Sequence, residues 1–242
     1  METMYLENCA AMESTVDGVS FYRCRVKAGE AVAPKMDQEK LIVLLFNGNP
    51  AYIRTSDDIY NISEPSVFIP DFDHIEYTIQ AIEDIEFVLC VFTMNEWDKE
   101  FFKGWNLHLP FFSKYSDGVR FNYMGRSKNL GSWSLVQPFQ LGHLSLSVIC
   151  GKGGQVKSDG NPLQNQWIYA VGSSKYQLSV AGGSKVAQTD GDFSFIPVTQ
   201  PYEINADADQ PICYFDIEYF AADDLQKNYL AQIFNGRMTE VQ

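Results

Sequence analysis

Histidine, basic residues and long apolar runs are all scarce in this sequence. Three histidines, His74, His108 and His143, stand in 242 residues. A catalytic first-row metal site draws on about three protein ligands, commonly imidazoles with a carboxylate. These three fall in different predicted elements, so neither a metal nor another cofactor is expected. Lys and Arg total 18 against 31 Asp and Glu, a formal net charge of -13. Such a field repels polyanions and excludes nucleic acid as a partner. The apolar run Leu41 to Phe46, which no other exceeds, falls far short of the roughly 18 residues a membrane-crossing helix needs, so no membrane partner is expected. Met1-Glu2-Thr3-Met4 offers neither the basic start nor the apolar stretch of a secretory signal, and a cytoplasmic location follows as the expectation. The cysteines are five, an odd number, without a CxxC spacing. Lying mostly in apolar stretches, they are expected to be buried reduced thiols. No GxSxG nucleophile motif occurs.

What is present is aromatic and strand-like. Phe (17) and Tyr (13) dominate an aromatic content of 14%, which suits strands lining a concave interior. Short β-type runs are punctuated by Gly, Pro, Asn and Asp turns, and they recur in the same order twice. Leu41–Phe46, a turn and Ala51–Arg54 are matched by Trp167–Val171, a turn and Tyr176–Val180. Glu64-Pro65-Ser66-Val67-Phe68-Ile69-Pro70 is matched by Gly191-Asp192-Phe193-Ser194-Phe195-Ile196-Pro197, and the closing strand Ile85–Phe92 by Ile212–Tyr219. The spacing of about 125 residues marks an internal repeat. An all-β fold of two barrels is expected, residues 1–104 and 105–242, with short helices after each closing strand at Asn95–Lys103 and Ala221–Phe234. The aromatic stretch 104–143 is expected to supply strands to the second unit. Gly151-Lys152-Gly153-Gly154 lacks the spacing of a phosphate loop and reads as a turn.

The order glycine turn, strand, hairpin, then Phe-Ile-Pro with a pocket residue four or five positions on resembles the cupin superfamily. Gly191–Pro197 is similar to the second motif of that family, and Trp167–Val171 to the strand after its first motif. The resemblance covers roughly residues 20–94 and 143–220 and implies a bicupin of two antiparallel jelly-roll barrels. It also implies where metal ligands would stand. The family's first motif carries His-x-His and a downstream Glu, and its second motif one more His. Here the first-motif stretches read Pro34-Lys35-Met36-Asp37-Gln38-Glu39-Lys40 and Asn161-Pro162-Leu163-Gln164-Asn165-Gln166, without histidine. His74 in the first unit and Tyr202 in the second are expected at the second-motif place.

Barrel mouths bind small molecules. In the first unit the candidates are His74, Glu39 and Asp37 for acid/base work and Arg23, Arg25 and Lys35 for an anionic group, with Glu76 nearby. Strand alternation would place Arg23 with Arg25, and Lys35 with Asp37 and Glu39, each set on one face. In the second unit Gln164, Gln166, Tyr169, Gln177 and Tyr202 are neutral hydrogen-bonding groups, suited to reading hydroxyls and amides. Two functions follow. One is a bicupin without the metal triad that binds a small polar or anionic metabolite, sugar- or carboxylate-like, without turnover. The other is a metal-independent isomerase or epimerase of a carbohydrate-type metabolite with His74 as acid/base. The absence of a basic helix-turn-helix after the second unit argues against a transcription regulator. Self-association through an exposed strand edge is the expected route to a homo-oligomer.

Overall fold

The computed structural model describes residues 6–105, 107–122 and 125–220, and the helix expected at Ala221–Phe234 lies outside them. The described chain is almost entirely antiparallel β-structure and divides into two compact units, residues 1–119 with 133–135, and residues 120–132 with 136–242. The helix expected after the first closing strand is present at Glu96–Trp105. Its start is fixed by a reciprocal cap: the Asp98 amide donates to Asn95 Oδ1 at 2.9 Å and the Asn95 amide to Asp98 Oδ2 at 3.1 Å.

In the first unit, six strands run in the order Cys9–Met12, Val19–Val26, Ile85–Thr93, Lys40–Phe46, Ser66–Ile69 and Phe111–Lys114. Four more, Ala31–Val32, Thr78–Ala81, Ala51–Arg54 and Ile59–Ile62, form a second sheet. Phe111–Lys114 comes from the aromatic stretch expected to serve the second unit, yet it pairs with Ser66–Ile69 of the first. Alternation along the strands sends Ile42, Leu44, Phe46, Leu89, Val91 and Ile79 into one apolar cluster. The intervening Leu41, Val43, Leu45, Val88 and Cys90 are buried as well. Burial on both faces explains why these strands read as unbroken apolar runs rather than alternating ones.

The second unit is organised by the strand Tyr202–Phe220, which pairs along most of its length with Leu144–Ser158 and also with Gln164–Ala170 and Lys175–Val180. Phe193–Ile196 adds to Gln164–Ala170, and Val186–Thr189 to Lys175–Val180. The glycine run expected to be a turn lies inside Leu144–Ser158, where the register shifts between Lys152 and Gly154. Gly154 adopts φ +104°, open to glycine and closed to most other residues, so the run makes a bulge instead of reversing the chain. Its lack of side chains also lets residues 125–130 lie close. The Lys157 amide donates to Gly125 O at 2.8 Å and the Ser127 amide to Gln155 O at 2.9 Å, and Asn129 Nδ2 donates to Gly153 O at 2.8 Å. Arg126 is thereby bridged to Val156.

The cysteines depart from the expected reduced state. Cys9 faces Cys24, and Cys150 faces Cys213, at directly opposed positions on neighbouring strands, and each pair is bonded as a disulfide. Only register, invisible in the spacing of 15 and 63 residues, brings them together. Cys90 alone is a buried free thiol.

Candidate functional site

The interior of the second unit is apolar at one end and polar at the other. Ile168, Ala170, Tyr176, Leu178, Ile204 and Tyr214 form its apolar cluster. On the same strand faces, Gln164 and Gln166 precede Ile168, and Asp216 and Glu218 follow Tyr214. Register sets Glu218 opposite Gln166 on one side and Ser145 on the other. The Ser145 hydroxyl donates to Glu218 Oε2 at 2.9 Å, and Gln164 Nε2 reaches the same oxygen at 3.5 Å. Asn161 in turn donates to the Gln164 carbonyl. Gln166 Nε2 donates both to Tyr202 Oη at 3.2 Å and to Asp216. Arg126 closes the cluster: its Nη2 lies 3.5 Å from Asp216 Oδ2, with side chains 6% and 3% exposed, and its Nη1 donates to Ser132 Oγ.

Two carboxyls two residues apart on one strand face, Asp216 buried and Glu218 partly buried, resist ionising together near neutrality. Burial pushes Glu218 up to about 7, with the Asp216 charge adding to the rise and the Ser145 hydrogen bond opposing it. Asp216 is also raised by burial, while Arg126 and Gln166 pull it back. Arg126 and Gln166 thus favour the charged form at Asp216, while burial and the Asp216 charge favour the protonated form at Glu218. Burial, followed by the Asp216 charge, raises Tyr202 well above the usual phenol range, so it works as a neutral hydroxyl.

The residues expected in the first unit do not converge. Arg23 and Arg25 share a face, as alternation predicts, but on the side away from buried Cys24. There they pair with Glu86 at 3.6 and 2.8 Å. Lys35, Asp37 and Glu39 lie in the irregular segment before Lys40–Phe46 instead of on a strand. Asp37 caps the Glu39 amide at 2.9 Å, and Glu39 binds Lys99 Nζ at 2.8 Å. His74 sits in a turn with its side chain 67% exposed, Nδ1 3.2 Å from Asp71 Oδ1; Glu76 is exposed too.

Nor does His74 hold the second-motif place. Tyr202 precedes by two residues Ile204, which faces Leu178, and Tyr77 precedes by two residues Ile79, which faces Ile53. Tyr77 is therefore the counterpart of Tyr202. Its hydroxyl is buried without a partner, and burial pushes its pKa up. A loop longer before Tyr77 than before Tyr202 moved the apparent match onto His74.

In the second unit Gln164, Gln166 and Tyr202 are brought together as expected. Tyr169 instead faces the other way, stacked on Phe215 at 6.1 Å, and Gln177 is exposed. Arg126, Ser145, Asp216 and Glu218 were missed. The available signal was the alternation of Asp216 and Glu218 within an otherwise apolar closing strand, where charged residues need a partner.

With this geometry in hand, comparison with solved structures shows the fold. A protein described as glyoxylate-induced, from Pseudomonas aeruginosa, superposes with a TM-score of 0.70 at 12% identity, covering 92% of this chain and 83% of that one. The fold is of the cupin type. YlbA from E. coli gives a TM-score of 0.66 at 11% identity over 92% of this chain and 87% of its own. A variant of oxalate decarboxylase from Bacillus subtilis gives 0.58 at 12% identity over 91% and 77%. No family model matches the sequence, and no curated protein matches it either.

The family resemblance implies metal ligands in the stretches where Gln164, Gln166 and Tyr202 stand here. The donors do not fit that task. Two neutral amides and a phenol kept neutral by burial offer neither an imidazole nor an anionic ligand, and the carboxylate nearest them already faces the Arg126 guanidinium. Among the described residues no three His, Cys, Asp or Glu side chains converge as ligands. No helix of the described residues is long and apolar enough to cross a membrane.

Proposed function

We propose that the chain is a tandem cupin-type protein that binds a small polar metabolite in its second unit, with Gln164, Gln166, Tyr202 and the Arg126–Asp216–Glu218 cluster as the recognising groups. One observation carries this reading: a barrel interior is polar where its repeat partner is apolar. By register Ile42, Leu89 and Val91 in the first unit stand where Gln166, Asp216 and Glu218 stand in the second. Amides, a neutral phenol and a protonated carboxyl supply both donors and acceptors, suited to hydroxyls and amides of a sugar-like ligand. The test is a thermal-shift screen of polyols, sugars and amides against the wild type, Gln166→Leu and His74→Ala. Ligands of this site raise the melting temperature of the wild type and of His74→Ala and leave Gln166→Leu unmoved. Hits that survive in Gln166→Leu overturn the reading.

A metal-independent isomerase or epimerase is the second reading, favoured by the proton that Glu218 holds near neutral pH beside charged Asp216. Paired carboxyls with separated pKa values serve proton transfer, so in this reading Glu218 takes the role first expected of His74. Turnover of a screened ligand, lowered about a hundredfold in Glu218→Gln and unchanged in His74→Ala, supports it. A cytoplasmic location requires that Cys9–Cys24 and Cys150–Cys213 be reduced in the cell, since disulfides persist chiefly in oxidising compartments. Thiol counting on protein alkylated during lysis decides the compartment. Self-association through an exposed strand edge belongs to the same proposal, and sedimentation reads it out.

A further inference from the structure

We infer that the cleft lined by residues 120–122, 126–128 and 130–132 is a binding site for a small oxyanion, a carboxylate or phosphate group, with Arg126 at its wall and Arg120 and Lys128 at its rim. The inference deepens the proposed second-unit site by assigning the ligand's charge. The cleft encloses about 320 Å³ and is lined by Arg120, Phe121, Asn122, Arg126, Ser127, Lys128, Leu130, Gly131 and Ser132. That volume matches a small metabolite, at the lower end of ligand pockets. Three cations and no acid line it, in a chain where acids outnumber bases 31 to 18. The chain's overall field repels anions, so an anion that docks here is drawn by local contacts.

The hydroxyls are set as donors. Ser127 Oγ accepts the Gln155 amide at 2.9 Å and Ser132 Oγ accepts Arg126 Nη1, which leaves each O–H proton to be given to something else. Arg126 itself is held in place from three sides: its guanidinium carbon lies 5.6 Å from the Phe121 ring centre, Asp216 pairs with Nη2, and its backbone is bridged to Val156. Arg126 is thus a fixed wall whose charge already faces Asp216, and the attraction for an oxyanion comes chiefly from Arg120 and Lys128 at the rim.

The experiment is calorimetric titration of the full chain with inorganic phosphate and with malonate at constant ionic strength. The wild type, the double variant Arg120→Ala/Lys128→Ala, and His74→Ala are compared. The expected result is one-site saturation by at least one probe, weakened about tenfold or more in the double variant and unchanged in His74→Ala. Absence of saturable binding of both probes to the wild type, or equal binding to the double variant, overturns the cleft site while hits of the metabolite screen still support the interior one.

Discussion

The two units share a strand order and differ in what they bury. Across the first, Ile42 faces Val91 and Leu44 faces Leu89; across the second, Gln166 faces Glu218 and Ile168 faces Asp216. One interior is closed by dispersion and apolar burial, at about 1.5–3 kcal/mol for each large side chain removed from water. The other is held by a hydrogen-bonded network that is stable only when every member is satisfied. A protein can keep one barrel as a scaffold and give the other to chemistry, and the repeat lets each position be compared with its own control.

The largest effect should come from giving the first interior one member of the second's network without its partners. Leu89→Asp buries a carboxyl with no counterpart of Arg126 or Gln166, and should cost about 4–5 kcal/mol or more in denaturant unfolding. The reciprocal break is Arg126→Ala. Losing the guanidinium leaves Asp216 buried beside Glu218, a cost of about 3–5 kcal/mol. Asp216→Asn added to it should recover much of that loss, and failure to recover would mean that Arg126 acts by packing alone.

A third test uses pH. The folded pKa of Glu218, about 7, lies above the roughly 4.3 of an unfolded glutamate. The folded state therefore holds the proton across this interval. The stability that this proton brings is complete below about pH 4 and is lost as pH rises through 7, by about 4 kcal/mol at most. Glu218→Gln should flatten this part of the stability profile, while a glutamine in place of exposed Glu39 should not. The smallest contrast is between the two phenols. Tyr202→Phe gives up the Gln166 hydrogen bond and should cost about 1 kcal/mol, whereas Tyr77→Phe removes an unpartnered buried hydroxyl and should be neutral or slightly stabilising.

These contrasts also show what the sequence could tell. The fold class and the repeat were legible, because turn chemistry and apolar runs are local. Gln164, Gln166 and Tyr202 stood out because they lie in stretches that resemble family motifs, and the structure places them in one hydrogen-bonded cluster. Asp216 and Glu218 were not, because a charged residue in an apolar strand becomes interpretable only when register supplies Arg126, 90 residues upstream of Asp216. The first-unit set failed for the converse reason. Charged residues near a barrel mouth resemble a site in sequence, yet Arg25 with Glu86 and Glu39 with Lys99 are surface pairs, worth little to stability in water. The disulfides likewise depend on register, and no spacing rule would have paired Cys150 with Cys213.

The most direct measurement is a carbon-detected NMR titration of the glutamate side chains, with Glu218→Gln to assign the resonance. The account predicts one carboxyl with a midpoint near 7 that disappears in the variant. If every glutamate titrates below about pH 5, the second interior holds no proton at neutral pH, and the contrast between the two units loses its chemical meaning.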